Sequence, residues 1–196
     1  MDSDVAVANT ALTLLGDESI TSLTENTARA KTIKRLYAPT LEAKLRGHDW
    51  NFARLRASLA AVDATPEFGY DFMYQLPQDP LCLRVLSTNL DERARWEIET
   101  YITVSAQYRV LVTDETGVEI KYLGLVDDPT LWDPLFAEAF VLELATKAAY
   151  AITRNATLTA ELAKDRDDAW RKARSVDGQE GRPLKRFLSN SFTEVR

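Results

Sequence analysis

The chain has 196 residues, of which 45% are hydrophobic, enough for one sizeable core or for a core with a small satellite domain. Its net charge of −6 argues against a dedicated nucleic-acid binder, because affinity for phosphates comes mainly from Lys and Arg. No apolar run approaches the roughly 18–20 residues that span a bilayer, the N-terminus lacks the pattern of a secretory signal, and Cys82 is the only cysteine. We therefore expect a soluble protein made in a reducing cytoplasm, without a disulfide and without membrane contact.

Helical periodicity dominates about the first 60 residues. Apolar residues recur at one-turn spacing in two predicted helices: Val5, Ala8, Leu12 and Leu15 in the first, and Ile33, Tyr37, Leu41 and Leu45 in the second. Asp2 or Ser3 can cap the start of the first helix, and Gly16 can end it in the left-handed conformation. Pro39 should bend the second helix, and Gly47 should end it.

Alternation of apolar and polar residues then predicts β-strands with one solvated face. The stretches at 68–76, 95–104, 107–113 and 118–122 alternate clearly, whereas 81–86 fits less well. The short sequence "DETG" at 114–117 predicts a hairpin loop, and "STNLDER" at 87–93 predicts a longer exposed one.

Helical periodicity returns after residue 127. Asp128-Pro129 and Asp133-Pro134 each predict a helix start, and the helix from about 134 to 153 is apolar over most of its circumference, as expected of a central helix. Glu143 and Lys147 should pair on its narrow polar strip. A last amphipathic helix is predicted at about 157–176.

The pattern stops at residue 178. Residues 179–196 carry four basic and two acidic side chains, with spaced apolar ones, and predict a flexible C-terminal tail that folds onto a partner. The predicted class is α+β: an antiparallel helical bundle formed by 1–66 and 129–178, interrupted by a small antiparallel β insertion at 67–128, with an extended tail.

Residues that could carry chemistry are few. His48 has no second His nearby in sequence, so we interpret it as a residue at a helix end rather than as a catalytic base or a metal ligand. Trp50 and Phe52, which follow it, are interpreted as structural anchors of the crossing segment, and His48→Ala should change the melting temperature little. No catalytic residue, cofactor site or metal site is predicted.

Three further features have structural interpretations. Cys82 lies in an apolar run and is interpreted as a buried hydrophobe. The acids of "VDDP" are interpreted as helix caps and those of "DRDD" as a solvated helix face, although paired carboxylates also occur in glycosidases. The aromatic stripe at 68–74 is interpreted as the core face of a sheet, because it lacks the interleaved cations of a base-stacking surface.

Four sequence elements together resemble a known family. They are "ALTLLG" at 11–16, "YAPTLEAKLRGHDWNFA" at 37–53, "YDFMYQLPQDPLCLRV" at 70–85 and "DDPTLWDPLFAEAF" at 127–140. In this order and spacing they resemble the tail tubular protein A family, the head-to-tail adaptors of short-tailed bacteriophages, over about residues 1–176. Pro80, Cys82 and Leu123-Gly124 depart from the family's pattern.

The resemblance implies a structural virion protein and no enzyme. Family members form a ring, usually of twelve copies, between the portal ring and the tail tube or nozzle, and the DNA passes through the ring without specific binding. The tail would reach the portal through six residues: Arg182, Lys185, Arg186, Phe187, Leu188 and Phe192. The β unit would face the next tail component, with a loop that contains Thr88, Asn89, Asp91 and Arg93. The acidic character of the chain would suit a channel that repels phosphates.

Two other functions are compatible with the sequence. A virion-associated glycan hydrolase would need two acids about 5–10 Å apart across a cleft. A cytoplasmic helical interaction protein could share the pattern by chance. The adaptor is the leading hypothesis, located in the neck of the virion after synthesis in the host cytoplasm.

Overall fold

The chain folds as a mixed α+β protein. The computed structural model describes residues 1–104 and 107–180, and within them it has four helices: α1 (Asp4–Leu14), α2 (Ala28–Arg46), α3 (Pro134–Thr153) and α4 (Ala156–Asp177). The described residues also form six strands: β1 (Arg54–Ser58), β2 (Phe72–Gln75), β3 (Cys82–Thr88), β4 (Trp96–Ile102), β5 (Gln107–Thr113) and β6 (Glu119–Gly124). The α+β class predicted from the sequence is confirmed.

The helices begin and end at the residues that local sequence signals indicate. The side chain of Ser3 accepts a hydrogen bond from the backbone N–H of Ala6 at 3.1 Å, and Gly16 follows α1 with a φ of +68°. Asp133 caps α3 by accepting from the N–H groups of Leu135 and Phe136. The predictions of Ser3, Gly16 and Asp133 as helix boundaries are therefore confirmed.

Helix α3 is the central helix. It packs against α1, α2 and α4, and most of its surface is buried. Its Phe136 ring lies 5.0 Å from Trp50, 5.3 Å from Trp132 and 5.5 Å from Trp170, measured between ring centroids. This aromatic cluster connects α3 to α4 and to the segment that follows α2. Within the described residues, no helix is long and apolar enough to cross a membrane.

The strands form two antiparallel sheets. The inner sheet has the order β1-β6-β3, and the outer sheet has the order β2-β5-β4. Buried side chains from both sheets form one apolar cluster: Tyr74, Leu76, Cys82, Leu111, Val118, Ile120 and Tyr122. Leu83 and Leu123 of the inner sheet instead belong to the helical core. The inner sheet is therefore the middle layer, between the helices and the outer sheet.

Three expectations from the sequence are wrong in detail. Residues 54–58, expected to be helical, form β1, because they pair with β6 along its length. Residues 68–71 lie before β2 and not in it, and Phe68 is 87% exposed, so the aromatic stripe is not one continuous core face. Thr88, expected in a loop, is the last residue of β3 and pairs with Ile120.

Strand β1 also connects the two predicted domains. The predicted insertion at 67–128 contains the other five strands, whereas β1 precedes it and pairs with β6 inside it. The division of the chain at residue 67 stays a prediction.

Trp50 should contribute strongly to stability. It is 1% exposed, and its indole N–H donates to the carbonyl of Lys44 at 3.0 Å. We expect Trp50→Ala to lower the free energy of unfolding by about 3–5 kcal/mol, because it leaves a cavity in the aromatic cluster. Urea unfolding followed by circular dichroism measures this change. Phe68→Ala is the matched control, since that ring is exposed; equal effects of the two substitutions would contradict the assignment.

Candidate functional site

His48 lies where the chain leaves α2, and its partner is a buried acid at the end of α4. Its Nε2 atom is 2.8 Å from Oδ2 of Asp177, a residue that is 6% exposed. The backbone N–H of Asn51 donates to the other carboxylate oxygen of Asp177 at 2.9 Å. The arrangement joins the 48–51 segment to the end of α4, so His48 has a structural partner that sequence reasoning missed.

A second buried acid, Glu143, lies among three helices. Its carboxylate is 2.9 Å from Nζ of Lys44 in α2 and accepts a hydrogen bond from the indole N–H of Trp170 in α4 at 3.0 Å. Lys147 is 3.6 Å away, as predicted from the sequence, but Glu143 is 4% exposed and does not lie on a solvated strip. Burial by itself would raise the pKa of Glu143, but the hydrogen bonds and the charges of the two lysines outweigh burial and lower it.

The other candidates for chemistry have structural surroundings. Cys82 is buried, and burial raises the pKa of its thiol although Arg109 and Arg46 oppose the shift. Asp128 accepts from the backbone N–H of Thr130, as a cap does, and Asp168 pairs with Arg171 on an exposed helix face. Among the described residues, no group of three or more His, Cys, Asp and Glu could hold a metal ion.

The predicted tail-component loop borders a groove on the inner sheet. We call this surface the inner-sheet groove; its volume is about 300 Å³. Its polar lining comes from three strands and the residue after β3: Arg56, Ser58, Ser87, Thr88, Asn89, Glu119 and Lys121. Because side chains alternate along β6, Glu119 and Lys121 share a face with Leu123, beyond the part that the helices cover.

Two cations face each other in this groove. The register of β1 and β6 places Arg56 directly opposite Lys121, and the next pair on the same face is Ser58 with Glu119. Like charges opposite one another destabilise a sheet, and the described part of the chain provides no ion pair for either cation. A local conflict of this kind is expected where a surface serves a partner rather than the fold.

The positive charge extends beyond the groove. Arg54 pairs with Asp49 at 2.7 Å. Partial burial by itself would raise the pKa of Asp49, but the hydrogen bond from Arg54 and the charges of Arg54, Lys121 and Arg84 outweigh burial and lower it. The Nε atom of Arg84 is buried, and no hydrogen-bond partner for it lies among the described residues. This face of an acidic protein therefore has an excess of cations.

The loop residues have different roles. Asn89 is fixed: its side chain donates to the carbonyl of Gly117 and accepts from the N–H of Glu119, both at 2.9 Å. Asp91 accepts from the backbone N–H of Arg93 at 2.9 Å, and both residues are exposed. Thr88 and Asn89 therefore line the groove, whereas Asp91 and Arg93 lie on the exposed loop beside it.

Of the predicted structural anchors and tail residues, only the anchors lie within the described residues. Trp50 lies in the aromatic cluster, and the Phe52 ring, which is half-buried, lies 5.0 Å from Phe136. The tail residues Arg182, Lys185, Arg186, Phe187, Leu188 and Phe192 lie outside the described residues. The last described turn is closed by a hydrogen bond from the N–H of Glu180 to the carbonyl of Asp177 at 3.3 Å.

Comparison of the chain with protein-family models and with curated proteins gives no match. Function is therefore inferred from the residues of the chain and their arrangement.

The buried carboxylate of Glu143 gives a pH-dependent prediction. Its pKa is lower in the folded chain than the ordinary 4.5, so its contribution to stability is complete above that value and is lost as the pH falls toward the folded pKa. Glu143→Gln should cost about 2 kcal/mol at pH 7, because Lys44 loses a charged acceptor. Urea unfolding at several pH values should show a smaller loss between about pH 5 and pH 3 in the variant than in the wild type.

Glu138→Gln is the control for this prediction, since Glu138 is on the same helix but exposed. An identical pH dependence in wild type and Glu143→Gln would rule out the assigned role.

Substitution of Asp177 should destabilise the fold more than substitution of His48. Asp177→Ala removes the carboxylate that bonds both His48 and the N–H of Asn51, and it should lower the free energy of unfolding by about 2–3 kcal/mol. His48→Ala removes only one of these bonds and should lower it by about 1 kcal/mol. The double variant should cost less than the two effects added, because they share a bond. Additive costs in a double-mutant cycle would show that the two side chains act independently.

Proposed function

We propose that this chain is a head-to-tail adaptor of a short-tailed bacteriophage. Copies of the chain form a ring, with twelve as the expected number, between the portal ring and the tail tube or nozzle, and the ring continues the DNA channel. The observation that carries the proposal is the order and spacing of four sequence elements along residues 1–176. The protein is made in the host cytoplasm and then resides in the neck of the virion.

The positions of these elements support their reading as one pattern. Trp50 and Phe52 belong to the second element, and Phe136 belongs to the fourth. The rings of Trp50 and Phe52 each lie 5.0 Å from the Phe136 ring, although more than 80 positions separate Phe136 from either residue. Residues from the first and third elements, Leu12 and Leu83, are buried in the same core. The four elements thus share one packing unit, as parts of a common ancestral fold would.

The two ends of the molecule have different proposed roles. The four helices form an antiparallel bundle that packs side by side with neighbouring copies, and the β unit faces the next tail component. The inner-sheet groove and the loop residues Asp91 and Arg93 supply the contact surface. Arg56 and Lys121, which form no ion pair within residues 1–104 and 107–180, favour an acidic partner surface, since complementary charge sets orientation and association rate.

The C-terminal tail is the proposed contact with the portal. Phe187, Leu188 and Phe192 would anchor it, because buried aromatic residues dominate interface energetics. Arg182, Lys185 and Arg186 would set its orientation.

Mixing the purified chain with the portal ring encoded near it tests the function directly. Electron microscopy of the mixture should show a symmetric collar on one face of the portal, from which the number of copies can be counted. A bare portal beside folded, excess chain would refute the adaptor role. Because such rings can assemble only on their partner, a monomer in solution does not count against it.

Two variants should separate the two contacts. Arg56→Glu/Lys121→Glu should weaken binding of the tail component to the assembled collar by about tenfold or more and leave portal docking unchanged. Removal of residues 181–196 should abolish portal docking and leave the fold intact, because every described helix and strand lies before residue 181. Binding is measured by co-sedimentation.

The control for the charge reversal is Lys164→Glu/Lys172→Glu, which makes the same change of charge at exposed positions of α4. If both double variants weaken binding of the tail component equally, the inner-sheet groove is not the contact.

A further inference from the structure

A second groove lies on the opposite part of the molecule, between α1 and α3. We call it the α1–α3 groove; its volume is about 490 Å³, and Leu14, Trp132, Ala137 and Val141 are among its apolar lining residues. Leu14 is 40% exposed, and the neighbouring Leu131 is 63% exposed. Trp132, Ala137 and Val141 are only 3–6% exposed and form the floor of the groove, whereas Leu14 is open to solvent. A concave apolar floor beside an exposed apolar side chain is typical of a docking site.

The rim of this groove is acidic. Glu138 lines the groove itself and is exposed. Through Pro129, which lines both, the groove adjoins a second depression that contains five more carboxylates: Asp2, Asp4, Glu42, Asp127 and Asp128. The described residues provide no cationic side chain in an ion pair with Glu42, Asp127 or Glu138. The surface therefore matches an occupant that is both apolar and basic.

The chain itself has a segment of this composition. Residues 181–196 contain four basic residues and one acidic residue, and Arg182, Lys185 and Arg186 directly precede the apolar pair Phe187-Leu188. In the rest of the chain, the excess charge is negative. The basic residues of the segment are therefore complementary to the acidic rim of the groove, and the apolar residues that follow them are complementary to its floor.

The segment also starts at the correct end of the molecule. Helix α4 follows α3 after a tight turn at Arg154 and Asn155 and packs against it, so the end of α4 lies near the start of α3. The groove occupies this same N-terminal half of α3. Only the Phe136 ring separates Trp170 of α4 from Trp132 of the groove, with centroid distances of 5.5 and 5.3 Å. The seven residues that follow Glu180, up to Phe187, can extend about 25 Å, whereas half the circumference of a helix about 10 Å in diameter is roughly 16 Å, so this length is enough to pass around α3.

We propose that the α1–α3 groove binds the C-terminal segment of the same molecule, with Phe187 and Leu188 on the apolar floor and the basic residues beside the carboxylates of the rim. The groove is thereby covered in the free chain. Binding of the segment to any other partner must then compete with the groove.

Hydrogen exchange of the full-length chain tests this proposal without any other component. Amides at 184–192 should exchange at least about tenfold more slowly than those of an unstructured peptide of the same sequence. The variant Leu14→Gln/Glu138→Lys changes two exposed groove residues, so the fold should persist. Its segment should exchange at the unstructured rate, while the amides of α3 and α4 stay protected.

Phe68→Gln is the matched control, because it replaces an exposed apolar residue far along the chain from the groove and should leave exchange at 184–192 unchanged. Unstructured exchange rates in the wild-type segment would overturn the proposal. Protection of residues 184–192 that persists in the groove variant would also overturn it, since the segment would then lie elsewhere. Protection that disappears on dilution would overturn it too, since the occupant of the groove would then come from another copy. No portal is present, so the result is independent of the adaptor role.

Discussion

The buried carboxylate of Glu143 constrains the whole helical half of this protein. A charge in the interior must keep its partners, because removing one of them leaves an uncompensated ion. Lys44 comes from α2 and Trp170 from α4, so the three helices meet at one set of hydrogen bonds. A second buried carboxylate, that of Asp177, has the same role at the C-terminal end of α4, where its hydrogen bonds join α4 to residues 48–51. Sliding of these helices would leave the two buried carboxylates without their partners, so the acids favour the observed register together with the apolar packing.

Of the two sheets, the inner one packs on the helices and connects them to the outer sheet. One face of the inner sheet is buried against the outer sheet, and part of the other face is buried under the helices through Leu83 and Leu123. The remaining part of that face is free of packing demands. It carries the opposed pair Arg56 and Lys121, which the fold does not require and which the proposed contact with an acidic partner explains.

The sequence predicts those parts of the structure that local rules determine. Helix boundaries at Ser3, Gly16 and Asp133 follow from capping, which involves residues a few positions apart. Strand β1 is expected to be helical from the sequence although "RLRAS" alternates polar and apolar residues, because five residues directly after a helix are too few to outweigh the helical pattern before them. Its pairing with β6, some 60 residues away, makes it a strand. The partner of His48 is 129 positions away, and the opposed cations required the register of two strands, so neither could be found by spacing alone.

The link between His48 and Asp177 also determines how the molecule would carry mechanical load. In the proposed adaptor, tension applied beyond residue 180, for example during packaging or ejection of DNA under pressure, would reach the described part of the chain at the end of α4. There it meets Asp177, whose bonds to His48 and Asn51 pass the force to the segment after α2 and to the Trp50 cluster. Strand β1 continues directly from this segment, and Arg54 in β1 donates a hydrogen bond to the side chain of Asn51, so the inner sheet would receive the load after the helices. In the proposed ring, strain between portal and tail would therefore be carried first by the helices of each subunit.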